Sequence, residues 1–424
     1  MSSAPGTTEA APTATTASPL RLLAPTPRIF AFAAVMLVAA NSLGAKEVAR
    51  WQYLQQSFDG AWGVGLMAAV TALSAAAFGL TLGRLLDRQD PRRWVLTALG
   101  VAAAINLVLV WALAHGSVTI GLAIVDAIVY GVPIGIGAAA ILKVQASIVR
   151  PGAEGGADIL YTLRLGIGGV TGAVLGGLSS SPAHTLLWST ALLIACLPVL
   201  AWIMRPITLR PRATAEQAHE SLLAHLQRLP GLRSAIVVDL ALALIIPTQL
   251  VTIVLAHHDL PELAAQFIAA GMVGVLAGRL LLIWRGLRDR PRGVLLVTLG
   301  VTAVIQASAA VLLGTERLLE NPQVTTVFIV VGAATSTYAV SYMSALIQQG
   351  VPEDIRGRLT GFMTAGRSVF IAGAALVTVM VAERLGSVPV LVMLASALTA
   401  LIVVTRAFRR LGVAAISATR PASP

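Results

Sequence analysis

Gly83-Arg84-Leu85-Leu86-Asp87-Arg88-Gln89-Asp90-Pro91-Arg92-Arg93 is a short charged bridge between two long apolar runs, and Val95-Leu96-Thr97-Ala98-Leu99-Gly100-Val101 follows it. The pattern returns in the second half of the chain. Gly278-Arg279-Leu280-Leu281 leads to Asp289-Arg290-Pro291-Arg292 and then to Leu295-Leu296-Val297-Thr298-Leu299-Gly300-Val301. A charged link that recurs between apolar stretches of bilayer length describes a membrane protein built from two parallel repeats, with a solute path between them.

Composition agrees. Hydrophobic residues make up 57% of the 424 positions and charged residues only 12%. Mean hydropathy is +0.83. A soluble domain of this size needs more polar surface than that, whereas lipid accepts apolar side chains on the outside. The net charge of +11 does not indicate nucleic acid. The basic residues form short clusters between apolar runs, with no aromatic-and-basic platform. The single cysteine, Cys196, allows no internal disulfide and no cysteine-based metal site. Lysine occurs only at Lys46 and Lys143, against many arginines, a bias of GC-rich bacterial genomes.

The apolar runs place twelve transmembrane helices at 29–50, 60–82, 94–114, 118–142, 158–179, 184–204, 234–256, 263–284, 294–314, 324–347, 359–382 and 388–407. Helix is the choice at membrane depth because each segment must satisfy its own backbone. With the N-terminus in the cytosol, the inner loops collect most of the arginines, from Arg84 and Arg88 through Arg205 and Arg288 to Arg356 and Arg358. The outer loops then hold only Lys46, Arg50, Arg317 and Arg384, as the positive-inside rule requires. Trp51, Trp62, Trp111 and Trp188 fall at outer ends and Trp94, Trp202 and Trp284 at inner ends, where indole rings prefer to sit.

The expected fold is therefore all-α integral membrane, two pseudo-symmetric six-helix bundles. Residues 1–28 read as a disordered cytosolic tail, 29–204 as the N-terminal bundle and 205–233 as a cytosolic linker. Leu222, Leu223, Leu226 and Leu229 make one face of that linker amphipathic, suited to the inner membrane surface. Residues 234–408 form the C-terminal bundle and 409–424 a cytosolic tail, so both termini are cytosolic in a bacterial inner membrane.

With these motifs in place, the chain resembles the major facilitator superfamily over about residues 29–408. The family's loop after its second helix has a Gly-x-Leu-x-Asp-Arg pattern and then basic residues, matched here by Gly83, Leu85, Asp87, Arg88 and Arg92. Asp90-Pro91 departs from it. Val351-Pro352-Glu353-Asp354-Ile355-Arg356-Gly357-Arg358 is similar to the corresponding loop of the second half. The run Gly168-Gly169-Val170-Thr171-Gly172-Ala173-Val174-Leu175-Gly176-Gly177 is similar to the fifth-helix signature of the family's antiporters, with Ala173 where that signature has Pro. The resemblance implies a gating role for Asp87 against the start of the eleventh helix, with Arg88, Arg92 and Arg356 as candidate partners. The plainer reading of Asp87 is a solvated loop charge. Gly168, Gly172 and Gly176 are gating candidates on the same footing, or simply a close-packing face.

Asp126 is the acid placed near mid-depth. Tyr130, Pro133 and Gly137 follow at helical spacing, so all four are expected on one face. A carboxylate at that depth faces a cavity or a partner, and burial suits it to exchanging protons or pairing with a cation. It is otherwise a structural acid satisfied by hydrogen bonds, or one nearer the outer surface. The family's antiporters often have an arginine before a Gly-x-Gly run in this helix, and Gly131 stands there instead, before Gly135-Ile136-Gly137. An Asp126→Asn variant is expected to lose coupling and keep its fold.

Arg164 and Arg367 occupy equivalent places in the repeat. Either they bind an anionic solute, or pair with Asp158 or Asp239, or snorkel to the inner surface, the reading favoured for both. Asp239 reads as a helix-end charge or an arginine's partner. Asn41, Asn106 and the stripe of Thr337, Ser341, Ser344 and Gln348, flanked by Tyr338, are candidate cavity residues. Thr298, Thr302 and Gln306 read as interhelical glue. His257-His258-Asp259 with Glu262 reads as a solvated loop, not a metal site.

No Gly-x-x-x-x-Gly-Lys-Ser/Thr loop, metal set or nucleophile–base set is present, so the chain reads as no enzyme, with no cofactor. The expectation is a monomeric secondary transporter in the lipid bilayer. It carries a small-molecule substrate, with protons as coupling ion, and exports a small, largely apolar compound. The alternatives are an importer or facilitator of a polar or anionic solute, and a non-transporting receptor on the same fold.

Overall fold

The computed structural model describes residues 27–58, 61–149, 154–179, 181–205, 236–240, 264–285, 321–349 and 362–373, with a few single positions between 297 and 376. The described residues are helical, joined by short turns, with no strand among them. The first half contains α1 (Pro27–Ser57), α2 (Ala61–Arg88) and α3 (Pro91–Ala114). One further span follows as α4 (Ile120–Val132), a π-helical turn (Pro133–Gly137) and α5 (Ala138–Ile148). Then come α6 (Glu154–Gly177) and α7 (Pro182–Met204). The second half contributes α8 (Ala264–Arg285) and α9 (Pro322–Gln349), with helical residues at 236–240 and 362–373. Each of the six spans expected in the first half is present, and α8 and α9 fall on the expected eighth and tenth. Both tails, the linker with its leucine face, the His257 cluster, Arg356 and the twelfth expected span lie outside the described residues, as do the side-chain surroundings of Gly83, Asp87, Arg88 and Gln348.

The charged bridge that opens the sequence breaks the chain for local reasons. Asp90 has extended backbone and its side chain accepts from the Arg92 N–H, while Pro91 takes the first helical position, where it loses no hydrogen bond. The departure from the family pattern at Asp90-Pro91 is thus a helix start. Arg92 also donates to the carbonyls of Met204 (3.3 Å) and Arg205 (3.4 Å) at the end of α7. One guanidinium therefore serves a helix N-cap and a helix C-terminus, both electrostatically favourable. At the other end of α3, Gly116 adopts a φ of +61°, which closes the turn to α4.

Glycines set how closely the helices approach. A Cβ on Gly44 of α1 would lie 2.6 Å from the Gly169 carbonyl of α6, and one on Gly168 would lie 2.7 Å from the Leu37 carbonyl. Gly172 sits directly against the Asn41 carbonyl. Thus α1 and α6 meet backbone to backbone, a contact only small residues permit. The same device recurs between the second and fourth spans of each half. Gly131 and Gly135 of the first half press on Ser74 and Ala75 of α2, and Gly274 and Gly278 of α8 press on Val330 and Ala334 of α9. The two halves meet where Leu276 and Met272 of α8 cover Gly166 and Gly169 of α6.

Five helices among the described residues have the length and hydropathy to cross a membrane. Their outer faces carry exposed apolar side chains, including Leu107, Leu187 and Val327. Such a surface belongs in lipid. Trp111, Trp202 and Trp284 are more than half exposed near the ends of α3, α7 and α8. Trp51 departs from the expected headgroup position. It is buried within α1 and donates to Glu47 (3.2 Å).

Two outcomes are expected. Gly172→Val should force α1 from α6 and cost about 1–3 kcal/mol of overpacking, whereas Gly100→Ala, which meets nothing within 4 Å, should gain up to about 1 kcal/mol of helix propensity. Thermal unfolding followed by size exclusion separates the two. The hydrogen bond and charge of Arg92 hold the Asp90 carboxyl below the usual carboxylate range. Its contribution is therefore complete above the unfolded carboxylate pKa of about 4 and lost as pH falls through the depressed folded value. Asp90→Ala should lower stability by about 1 kcal/mol at neutral pH and by less in acid.

Candidate functional site

The third turn from the end of α1 presents Lys46, Arg50 and Tyr53, spaced four and three residues apart and so on one helix face. All three converge on Asp126 of α4. Lys46 Nζ donates to Asp126 Oδ1 at 2.9 Å, Tyr53 Oη donates to Oδ2 at 2.7 Å, and Arg50 Nε lies 3.3 Å from Oδ2. Lys46 and Asp126 are fully buried and Arg50 is 4% exposed. Arg50 reaches on to α2, donating Nη2 to Thr71 Oγ1 (2.7 Å) and to the Met67 carbonyl (3.3 Å). One turn beyond Asp126, the Tyr130 ring lies under both cations, 4.8 Å from Lys46 Nζ and 5.3 Å from the Arg50 guanidinium. Ring faces stabilise such cations. Glu47 stands beside Lys46 and Arg50 as a second carboxylate, so the cluster sums to zero charge.

One expectation is corrected here. Lys46 and Arg50 are not outer-loop charges, because α1 continues for two turns beyond position 50 and buries both. Asp126 meets partners rather than a cavity, two donors and a further cation of α1. A carboxylate at this depth needs such partners, since the desolvation penalty is met only by charge pairing with further hydrogen bonds.

The shared face expected of Asp126, Tyr130, Pro133 and Gly137 also changes. Pro133 removes a backbone donor, and Pro133–Gly137 form a π-helical turn. The extra residue in that turn rotates the remainder of the span by about 100°, so Gly137 leaves the Asp126–Tyr130 face.

In the second half, Arg367 donates from Nε to Asp239 Oδ2 at 2.6 Å and from Nη2 to Asp239 Oδ1 and to Ser344 Oγ of α9. Asp239 is fully buried. Arg367 therefore ties 236–240 to 362–373 and α9 rather than snorkelling. Arg164 does not snorkel either. It is 2% exposed, with its guanidinium 4.3 Å from the Tyr161 ring centroid.

The remaining candidates are scattered. Asn41 Nδ2 donates to Thr171 Oγ1 (2.8 Å), across the seam of α1 and α6. Asn106 is fully buried in α3, and neither amide atom has a hydrogen-bond partner among the described residues. Thr337 and Ser341 are half-buried on α9, and Tyr338 is buried with its backbone against Gly278. Thr302 returns its hydroxyl to the Thr298 carbonyl of its own helix (2.8 Å). Sequence reasoning missed Lys46, Arg50 and Tyr53. Their 4 + 3 spacing was the available signal, hidden because Lys46 and Arg50 close the apolar run and read as its outer end.

The burial of Lys46 and Arg50 changes what Asp126→Asn does. It leaves two buried cations short of a counter-charge, and a loss of about 3–5 kcal/mol is expected. Lys46→Met with Asp126→Leu removes charge from both sides and should unfold within a few degrees of wild type. Comparing the melting temperatures of the single and double variants checks this.

The helix order and packing match known transporters. A family model described as Major Facilitator Superfamily matches residues 29–376. No curated protein matches the chain. Among solved structures, a D-xylose–proton symporter is 14% identical with a TM-score of 0.67, covering 89% of this chain and 97% of its own. The Escherichia coli fucose:proton symporter FucP is 16% identical with a TM-score of 0.61, covering 92% and 99%. The human organic anion transporter MFSD10 is 15% identical with a TM-score of 0.63, covering 92% and 100%. At these identities the structures share the fold alone, but the family model spans most of the chain. This is a multi-pass membrane protein and a transporter rather than an enzyme: the chain belongs to the major facilitator superfamily.

Proposed function

We propose that this protein is a proton-coupled secondary transporter of a bacterial inner membrane that exports a small, largely apolar compound by alternating access. The observation that carries the reading is the enclosure of Asp126 by Lys46, Arg50 and Tyr53. Protonating Asp126 removes the negative charge that holds two buried cations of α1. Those cations must then find other partners, and α1 must move relative to α4 to let them. About two turns beyond Asp126, the π-helical turn Pro133–Gly137 supplies a place where the span can rewind. Because α1 lies backbone to backbone on α6, and α6 carries the contacts to α8, motion of α1 reaches the junction of the two halves. A proton and a change of access are thereby linked.

Two features support an apolar cargo and outward transport. The hydroxyls of Ser42, Thr71, Ser74, Thr171, Thr335 and Ser336 donate to carbonyls of their own helices. Little donor capacity there remains for a polyhydroxyl solute. Direction rests on the α6 run from Gly168 to Gly177, similar to the antiporter signature and seated on α1.

Inside-out proteoliposomes with an acid lumen test the reading, using a panel of lipophilic cations, neutral drugs and organic anions. Antiport should accumulate one class in the lumen with proton efflux, and the Lys46→Met/Asp126→Leu variant should lose the proton dependence. Accumulation driven instead by external acid means symport and contradicts export. Unchanged proton dependence in the double variant contradicts the role of Asp126.

A further inference from the structure

Arg164 and Arg367 hold equivalent positions in the two halves, in the fifth and eleventh spans. Arg367 shows what this position does when a carboxylate is at hand: its Nε and Nη2 take the two oxygens of Asp239. That edge of a guanidinium matches a carboxylate in spacing and plane. In Arg164 the same two nitrogens, Nε and Nη2, are buried and have no hydrogen-bond partner among the described residues. Tyr161 stacks on the guanidinium face at 4.3 Å, which orients the plane and leaves the edge to another group. A buried charged donor pair without a hydrogen-bond partner is costly, and a carboxylate brought to it would supply the acceptors it lacks.

The surroundings add positive charge. Arg279 of α8 lies within electrostatic reach of both Tyr161 and Arg367. Asp239 is already engaged by Arg367. The turn of α6 that carries Arg164 also carries Gly166, which packs on Leu276 of α8, and Gly168, which packs on α1. The position is the seam between the two halves, where a transported solute passes.

We propose that the Nε/Nη2 edge of Arg164, backed by Tyr161, binds the carboxylate of the solute, which makes the cargo a largely apolar organic acid. The word cargo rests on the transport reading above. The binding itself does not, because it is measured without a proton gradient.

The test uses the full-length chain in nanodiscs of phosphatidylcholine alone and equilibrium binding of 2-naphthoate and its neutral analogue 2-naphthamide. Saturable binding of 2-naphthoate is expected, with the amide at least about tenfold weaker. Arg164→Gln should weaken 2-naphthoate about ten- to a hundredfold. Arg164→Lys, which keeps the charge without the fork, should recover part of it. Since Arg164→Gln removes an unpartnered buried charge, its melting temperature should not fall. A merely structural arginine would show the reverse, a lower melting temperature with unchanged affinity. Equal affinity in folded Arg164→Gln, equal binding of the amide, or no saturable binding of 2-naphthoate overturns the proposal. So does phosphatidylglycerol that displaces 2-naphthoate through Arg164, which would make the site one for a lipid headgroup.

Discussion

An ionised carboxylate buried within a membrane-spanning helix has to be neutralised or abandoned, and in this protein Asp126 is neutralised by one neighbouring helix. Lys46, Arg50 and Tyr53 of α1 supply the charge and the hydrogen bonds, and Tyr130 supplies a ring face for the two cations. The pairing fixes the height and rotation of α1 against α4, because three side chains on one face of α1 must all reach a single carboxylate. Arg50 extends the tie to α2. Helix packing in lipid lacks the water-driven component that orders soluble cores, so a few buried polar contacts carry much of the specificity.

The position of α1 then sets that of α6. Gly44, Gly168 and Gly172 remove the side chains that would otherwise hold these helices apart, and Asn41 and Thr171 bond across the seam. Backbones in direct contact move together, since there is no compliant layer of side chains to absorb a shift. Through Gly166 and Gly169, α6 meets α8 of the other half. A change at Asp126 therefore has a continuous, closely packed route to the place where the halves separate. Arg164, one turn before Gly168 on α6, lies beside this boundary, whereas the Arg367–Asp239 pair ties elements of the second half to one another.

Much of this was legible in the sequence, for a physical reason. Apolar length and recurring glycine and Gly-Arg-Leu-Leu signals are local, and the bilayer turns them directly into spans. The first six spans and the eighth and tenth come directly from those signals. The site was less legible because its parts are far apart in the chain. Lys46 and Arg50 end the apolar run of α1, so hydropathy ends the membrane segment with them. Only Asp126, eighty positions away, makes their burial affordable. In the same way Arg164 near a helix start reads as a snorkelling side chain until α8 is seen to cover its turn. The π-helical turn at Pro133–Gly137 was signalled by a proline and glycines but not by any period, and it displaced Gly137 from the expected face.

The central claim is that the charge on Asp126 holds α1 to α4. Pulsed electron–electron double resonance tests it directly, with spin labels at Ser57, the end of α1, and Ile120, the start of α4, and Cys196 replaced by alanine. Distances would be recorded in lipid nanodiscs as pH is lowered. The account predicts a second distance population that grows in acid and is already present at neutral pH in Lys46→Met/Asp126→Leu. A single distribution that stays unchanged across pH, and is the same in the double variant, would contradict it.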